Sequence, residues 1–358
     1  MYKLIIMNLE SLFTPFIYKG LTLRNRFVMA PMTRAFAADG IPTTQITDYY
    51  TRRAAGQVGL ILTEGTVIDR PSSKNLNDIP NFYGNEALAG WKQVADSVHA
   101  SGGAIAPQIW HVGNTPYGWE PPKPFESPET MTREDIDETI KAFAKAAKAA
   151  KDNGFDALEL HGAHGYLIDQ FFWEGTNKRT DEFGGKTIKE RSRFAVEVVK
   201  AVREAVGPQF VIILRISQWK QQDYSVKLAH TPDELEEWLV PLAEAGVDIF
   251  HGSQRRYWEP EFDNSDLNFA GWIKKVSGQP TITVGSVGLA GDVSETFSGQ
   301  NTQLSGLEEL VRRYERGDFD LVAVGRSLLH DPEWVLKVQA GHLDKLKPFE
   351  AASLQTLY

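Results

Sequence analysis

His161-Gly162-Ala163-His164-Gly165-Tyr166 brings two imidazoles and a phenol onto one short stretch of chain. Two ring N–H groups can grip a substrate oxygen and absorb the negative charge that develops there, and a phenol, with an ordinary pKa of about 10, can hand over a proton close by. The same histidines together with His111 also compose a three-histidine zinc set, the basis of a metal-dependent barrel hydrolase. Hydrolytic metal barrels need a further carboxylate, and the nearest acid after the cluster, Asp169, falls on the next helix or loop. A purely structural role, with the histidines satisfying backbone carbonyls, is the third reading.

Gly285-Ser286 and Gly325-Arg326 form a second group. Glycine lets backbone amides approach an anion closely, and a guanidinium adds a charged fork, so the pairs read as a phosphate site or as plain turns with a surface ion pair. Arg215 follows Val211-Ile212-Ile213-Leu214 and should rise from a strand end. There it would face an anionic ring or pair with Glu64 or Glu159. Thr33 and Gln108 also sit at strand ends, where they can bond a heterocycle's rim. Trp110 and Tyr257 are the expected walls of a substrate pocket. Tyr257 belongs to the Arg- and ring-rich segment His251–Trp258, which reads either as pocket lining or as a surface turn with Trp258 packed down and the arginines on Glu259 or Glu261.

The elements that must position these groups follow from apolar runs. Eight occur, at Arg26–Ala30, Leu60–Thr63, Ala104–Gln108, Ala157–His161, Val211–Ile216, Ile249–Gly252, Thr281–Val284 and Leu321–Gly325. Helical patterns alternate with them. After Thr132, Ile136, Ile140, Phe143 and Ala147 share a face, and Thr231-Pro232-Asp233-Glu234 is a helix start. Strands apolar on both faces, each followed by a helix, predict a parallel sheet covered by helices, and eight units predict an α/β fold closed as an eight-stranded (TIM) barrel in preference to a doubly wound sheet. The polar strand ends would then converge on one mouth. Residues 12–23 are expected to form a hairpin closing the bottom, and the five-proline stretch Asn114–Thr130 an ordered loop over the mouth. The division expected is an N-terminal extension over 1–11, one barrel domain over 12–345 and a C-terminal tail over 346–358.

Composition bounds the partners. With a formal net charge of -9, the chain has no general attraction to nucleic acid or anionic membrane, so any phosphate must be held locally. The absence of cysteine excludes disulfides, thiolate metal sites and thiol nucleophiles. The apolar run in MYKLIIMNLE is too short for a signal peptide, and no later run approaches a membrane span, which predicts a soluble, cytoplasmic protein.

Taken together, Ala30-Pro31-Met32-Thr33-Arg34, Gln108-Ile109-Trp110-His111, His161–Gln170, Asn177–Gly185 (NKRTDEFGG) and Val324-Gly325-Arg326 resemble the Old Yellow Enzyme family of flavin-dependent ene reductases over roughly residues 12–340. The resemblance implies a barrel holding non-covalent FMN, reduced by NADPH or NADH, that passes hydride to activated alkenes such as unsaturated carbonyls and nitroalkenes. It further implies Thr33, Gln108 and Arg215 at the flavin's polar edges, Ala30, Pro31 and Gly65 against the ring, and Gly285, Ser286, Gly325 and Arg326 at the phosphate. His161 and His164 would bind the substrate oxygen and Tyr166 would protonate the α-carbon. The chain differs from many members in having His at 164 rather than Asn and Val112-Gly113-Asn114 after His111, with a short loop that predicts an open mouth. A flavin-binding protein without turnover is the remaining alternative, and a homo-oligomer stays open.

Overall fold

The structure is a computed structural model that describes residues 9–358. A short antiparallel hairpin, β1 (Phe16–Tyr18) and β2 (Leu21–Leu23), precedes a closed barrel of β3 (Phe27–Met29), β4 (Leu60–Val67), β5 (Ala104–Trp110), β6 (Ala157–His164), β7 (Val211–Lys220), β8 (Ile249–Ser253), β9 (Thr281–Val284) and β10 (Leu321–Val324). Neighbours in that order pair in parallel and β10 pairs back to β3, so the ring has no free edge. Each predicted strand is found. Of the expected extension, residues 1–8, and with them most of the MYKLIIMNLE run, lie outside the described residues, while Leu9–Phe13 forms a 3₁₀ turn that buries Leu12.

Two-residue periodicity sorts the strand side chains. In β6, Ala157 points into the barrel while Leu158 and Leu160 pack outward against helices, and in β7, Val211 and Ile213 point in while Ile212 and Leu214 point out. The same alternation aims His161 and Arg215, which are paired in register, at the mouth. Helix ends follow the sequence signals. Thr132 caps Arg133–Asp152 through a capping box with Asp135, and the Thr231 side chain accepts from the Glu234 amide with Pro232 in the first turn.

The hairpin closes the barrel's base. Phe16, Leu21 and Leu23 join the interior cluster of Val28, Leu60, Val211 and Ile249. Its turn is fastened to the starts of three strands: Gly20 N donates to Gln209 O (3.2 Å), Tyr18 Oη to Gln279 Oε1 (3.2 Å), and Lys19 pairs with buried Asp248. At the opposite rim, the segment 346–358 lies back on the barrel. Phe349 is buried, and buried Arg34 donates to the carbonyls of Ser353, Leu354 and Thr356.

Candidate active site

A cavity of about 760 Å³ opens at the C-terminal ends of the strands. Ala30, Pro31, Thr33, Gln108, Trp110, His161, His164, Tyr166, Arg215, Gly285, Ser286, Gly325 and Arg326 all line it. Gly65 lies behind this wall. A Cβ there would meet the Trp110 ring at 2.4 Å, so glycine is what lets that ring lie flat on β4.

The imidazoles and phenol do converge. The Tyr166 ring is 4.9 Å from His161 and 4.7 Å from Trp110, both edge-on, and the two histidine rings are 5.2 Å apart. His164 has φ +65° and Gly165 φ +83°, a left-handed corner that turns the chain out of β6 and that a histidine adopts at a cost of roughly 1–3 kcal/mol. Burial, with Arg215 and His251 nearby, pushes both imidazoles well below the usual histidine range, so they are neutral. Ala163 N donates to His161 Nδ1 (3.4 Å), which assigns the His161 proton to Nε2. His164 Nε2 is 2.8 Å from Ser253 Oγ, which itself accepts from Arg215 at 3.5 Å; the network assigns the His164 proton to Nδ1. Burial raises the Tyr166 phenol to about 12.

Beneath them runs a polar layer. Glu159 accepts from Gln108 Nε2 (2.7 Å) and bonds His251 Nδ1 (2.6 Å), and its charge faces Arg215. Arg215 Nε and Trp110 Nε1 are buried donors without a partner among the described residues. A heterocycle with carbonyl and imine acceptors would satisfy such donors, and the same cavity is also lined by Gly285 (φ +139°) and Ser286 (φ +55°), which bend away from β9, and by Arg326, where a short helix starts, groups that suit a phosphate. The residues present therefore fit FMN.

Three expectations are corrected. Arg326 is not a free fork: its Nη atoms donate to Asp292 O, Thr296, Thr302, Ser286 and Gly291 O, so it braces the loop after β9. Tyr257 lies apart from the cavity, buried against Trp258 with its amide on Gly285 O, and Gln254 and Arg255 of the same segment line the cavity instead. Arg256 pairs with Glu259 (3.1 Å), as expected, while both Arg255 and Arg256 also pair with Asp292, a partner absent from the sequence reading. His111 points elsewhere as well. Its Nε2 is 2.6 Å from Glu126 and its Nδ1 accepts from Gly113 N, so it does not join His161 and His164 around a metal, and among the described residues no group of three acidic or histidine side chains is arranged to hold a metal ion.

Sequence reasoning missed the wall made by Trp219, Gln221 and Tyr224. Trp219 stacks on His164 (4.4 Å), Tyr224 on Trp219 (5.5 Å), and the Arg255 guanidinium lies 4.7 Å over Tyr224. Two rings so soon after a strand-end arginine were the available signal.

A family model described as NADH:flavin oxidoreductase / NADH oxidase matches residues 11–345. The chain belongs to this family. Flavin-dependent oxidoreduction with FMN as cofactor and a nicotinamide as donor is the chemistry that the family carries. The chain is similar to an NADH oxidase of Thermoanaerobacter brockii, 35% identical over 95% of the chain but only 52% of that relative, so it spans about half of that longer protein. It is also similar to 12-oxophytodienoate reductase 7 of Oryza sativa subsp. japonica, 33% identical over 90% of the chain and 86% of that relative. Among solved structures, morphinone reductase in complex with tetrahydroNAD superimposes with a TM-score of 0.78 at 26% identity, covering 96% of this chain and 94% of that one. The Old Yellow Enzyme resemblance read from the motifs is thus the family's own, and the barrel is the family's barrel.

Proposed function

We propose that this family member is an ene reductase acting on α,β-unsaturated carbonyls, nitroalkenes and related electrophiles. The carrying observation is the convergence of a protonated, buried phenol with two neutral imidazoles in one cavity. When bound, FMN reduced by NADH or NADPH would supply the hydride that the substrate's β-carbon takes up. The protein's own part is to bind and orient the acceptor and to move one proton. His161 Nε2–H and His164 Nδ1–H hold the carbonyl or nitro oxygen, where charge develops as the double bond is reduced. Tyr166 donates its proton to the α-carbon. Trp110 and Trp219 flank the acceptor and keep water away from it.

The cofactor set follows the same reading. Ala30, Pro31 and Thr33 would lie along the flavin, with Gly65 behind Trp110 permitting the fit, while Gln108 and Arg215 meet its polar edge. Amides at Gly285, Ser286, Gly325 and Arg326 would hold the phosphate, with the Arg326 charge behind them. A cytoplasmic location suits a cysteine-free enzyme that draws on nicotinamide nucleotides. No described helix is long and apolar enough to cross a membrane.

The test is anaerobic. Purified protein should be yellow, bleach with NADPH or NADH, and regain colour on adding 2-cyclohexen-1-one with formation of cyclohexanone. Bleaching by nicotinamide followed by recolouring with oxygen or quinone but never with enones or nitroalkenes overturns the ene-reductase reading.

A further inference from the structure

β7 continues past Arg215 for five more residues, and that extension is bonded to the His164–Tyr166 turn along its length. Ser217 Oγ accepts from His164 N (2.9 Å), and Gln221 N donates to His164 O (3.3 Å). Trp219 covers the His164 ring, and Gln221 Oε1 accepts from the Tyr166 hydroxyl (3.4 Å). At the centre lies an ion pair with both side chains fully inaccessible: Lys220 Nζ to Asp169 Oδ1, 2.7 Å. Lys220 Nζ also donates to Ser217 O (3.1 Å), and Asp169 Oδ2 accepts from Gly165 N (2.7 Å).

Such a pair is a poor stabiliser, because desolvating both charges consumes most of their attraction and an apolar pair of similar volume often serves the fold as well. Burial acts on both groups in the opposing sense, raising the Asp169 carboxyl and lowering the Lys220 ammonium. What an apolar pair cannot do is accept a hydrogen bond from Gly165 at the left-handed corner while tying that corner to β7. We infer that Asp169 and Lys220 are positioning residues for proton delivery: acting through Gly165, they fix the corner that aims Tyr166 and His164 into the cavity, without touching substrate themselves. The inference rests on Tyr166 being the proton donor of the proposed reaction.

The test uses the holoenzyme carrying Asp169→Leu with Lys220→Met, which removes both charges together. Hydrogen exchange across residues 161–170 reads the corner directly, without turnover. Turnover of 2-cyclohexen-1-one, which must be protonated on carbon, is compared with 1,4-benzoquinone, which takes protons on oxygen. We expect FMN content and melting temperature near wild type, faster exchange at Gly165, and an enone kcat about 10- to 100-fold lower while quinone kcat stays within about twofold, since displacement of roughly 1 Å at a reacting group costs this much. Faster exchange with an unchanged enone-to-quinone ratio overturns the positioning role and leaves the ene-reductase reading standing. Wild-type protein that never reduces the enone overturns that reading and this inference with it. Should the double variant fail to fold, Asp169→Asn keeps the volume and can serve Gly165 or Lys220 but not both; it should lower the same ratio by a smaller factor, and an unchanged ratio overturns the inference.

Discussion

Burial holds the Tyr166 phenol up at a pKa of about 12, so it keeps its proton across the whole working pH range and, in the proposed reaction, has one to give. Tyr166→Phe keeps the ring against Trp110 and removes only the proton. Enone turnover should fall by roughly 10²–10⁴-fold, the usual share of a positioned general acid, while reduction of bound FMN by NADPH and turnover of quinones persist. Stopped-flow measurement of each half-reaction decides this, and equal losses with both acceptors would place the proton elsewhere. Arg326 acts differently from a simple anion clamp. Because its guanidinium already ties Ser286 to Gly291, Thr296 and Thr302, removing it should both loosen the loop proposed to hold the phosphate and delete a charge behind it. Arg326→Ala should weaken FMN affinity by about 10- to 100-fold, read by flavin fluorescence on dilution, and unchanged affinity would show that the amides suffice.

At the scale of elements, the loop after β3 is held by one carboxyl: Glu64 Oε2 accepts from the amides of Arg34 (2.8 Å) and Ala35 (2.9 Å), next to Thr33 at the cavity. Burial raises Glu64 to about 7, with those amides opposing it only in part. Its folded-state pKa thus lies above the unfolded value. The native state holds a proton that the unfolded chain releases, so stability is fully present below about pH 4.5 and is lost as pH rises towards 7, by roughly 3 kcal/mol in all. Glu64→Gln fixes the neutral form and should flatten that loss, seen as a smaller difference in melting temperature between pH 5 and pH 8 than in wild type. Eight strands were legible in the sequence because each is an apolar run between turn residues, and the site residues at their ends inherit their direction from strand alternation. The end of β7 was not legible, since Ser217-Gln218-Trp219-Lys220 carries no apolar run and its strand character comes from bonds to the His164 turn. Tyr257 and His111 show the complementary failure: their types suit the site, but which way a loop side chain turns depends on partners distant in sequence, Asn268 and Gly285 for the one segment and Glu126 for the other.

For the molecule as a whole, the hairpin stopper at the barrel's base has a kinetic corollary. With Phe16, Leu21 and Leu23 filling the lower end and Lys19 latched to Asp248, traffic to the reacting centre uses the C-terminal mouth. His161, His164, Tyr166, Trp110 and Trp219 all line one cavity there, so on the proposed reading donor and acceptor share a single site. That reading predicts that the nicotinamide departs before the proposed alkene binds. Double-reciprocal plots at several fixed acceptor concentrations should be parallel, and excess enone should inhibit competitively against NADPH; intersecting lines would require both molecules to be aboard at once, through a second way in. An enzyme with one berth also sets its own rate by queueing: its best acceptor is one that binds tightly enough to react and loosely enough to clear the doorway for the next electron donor.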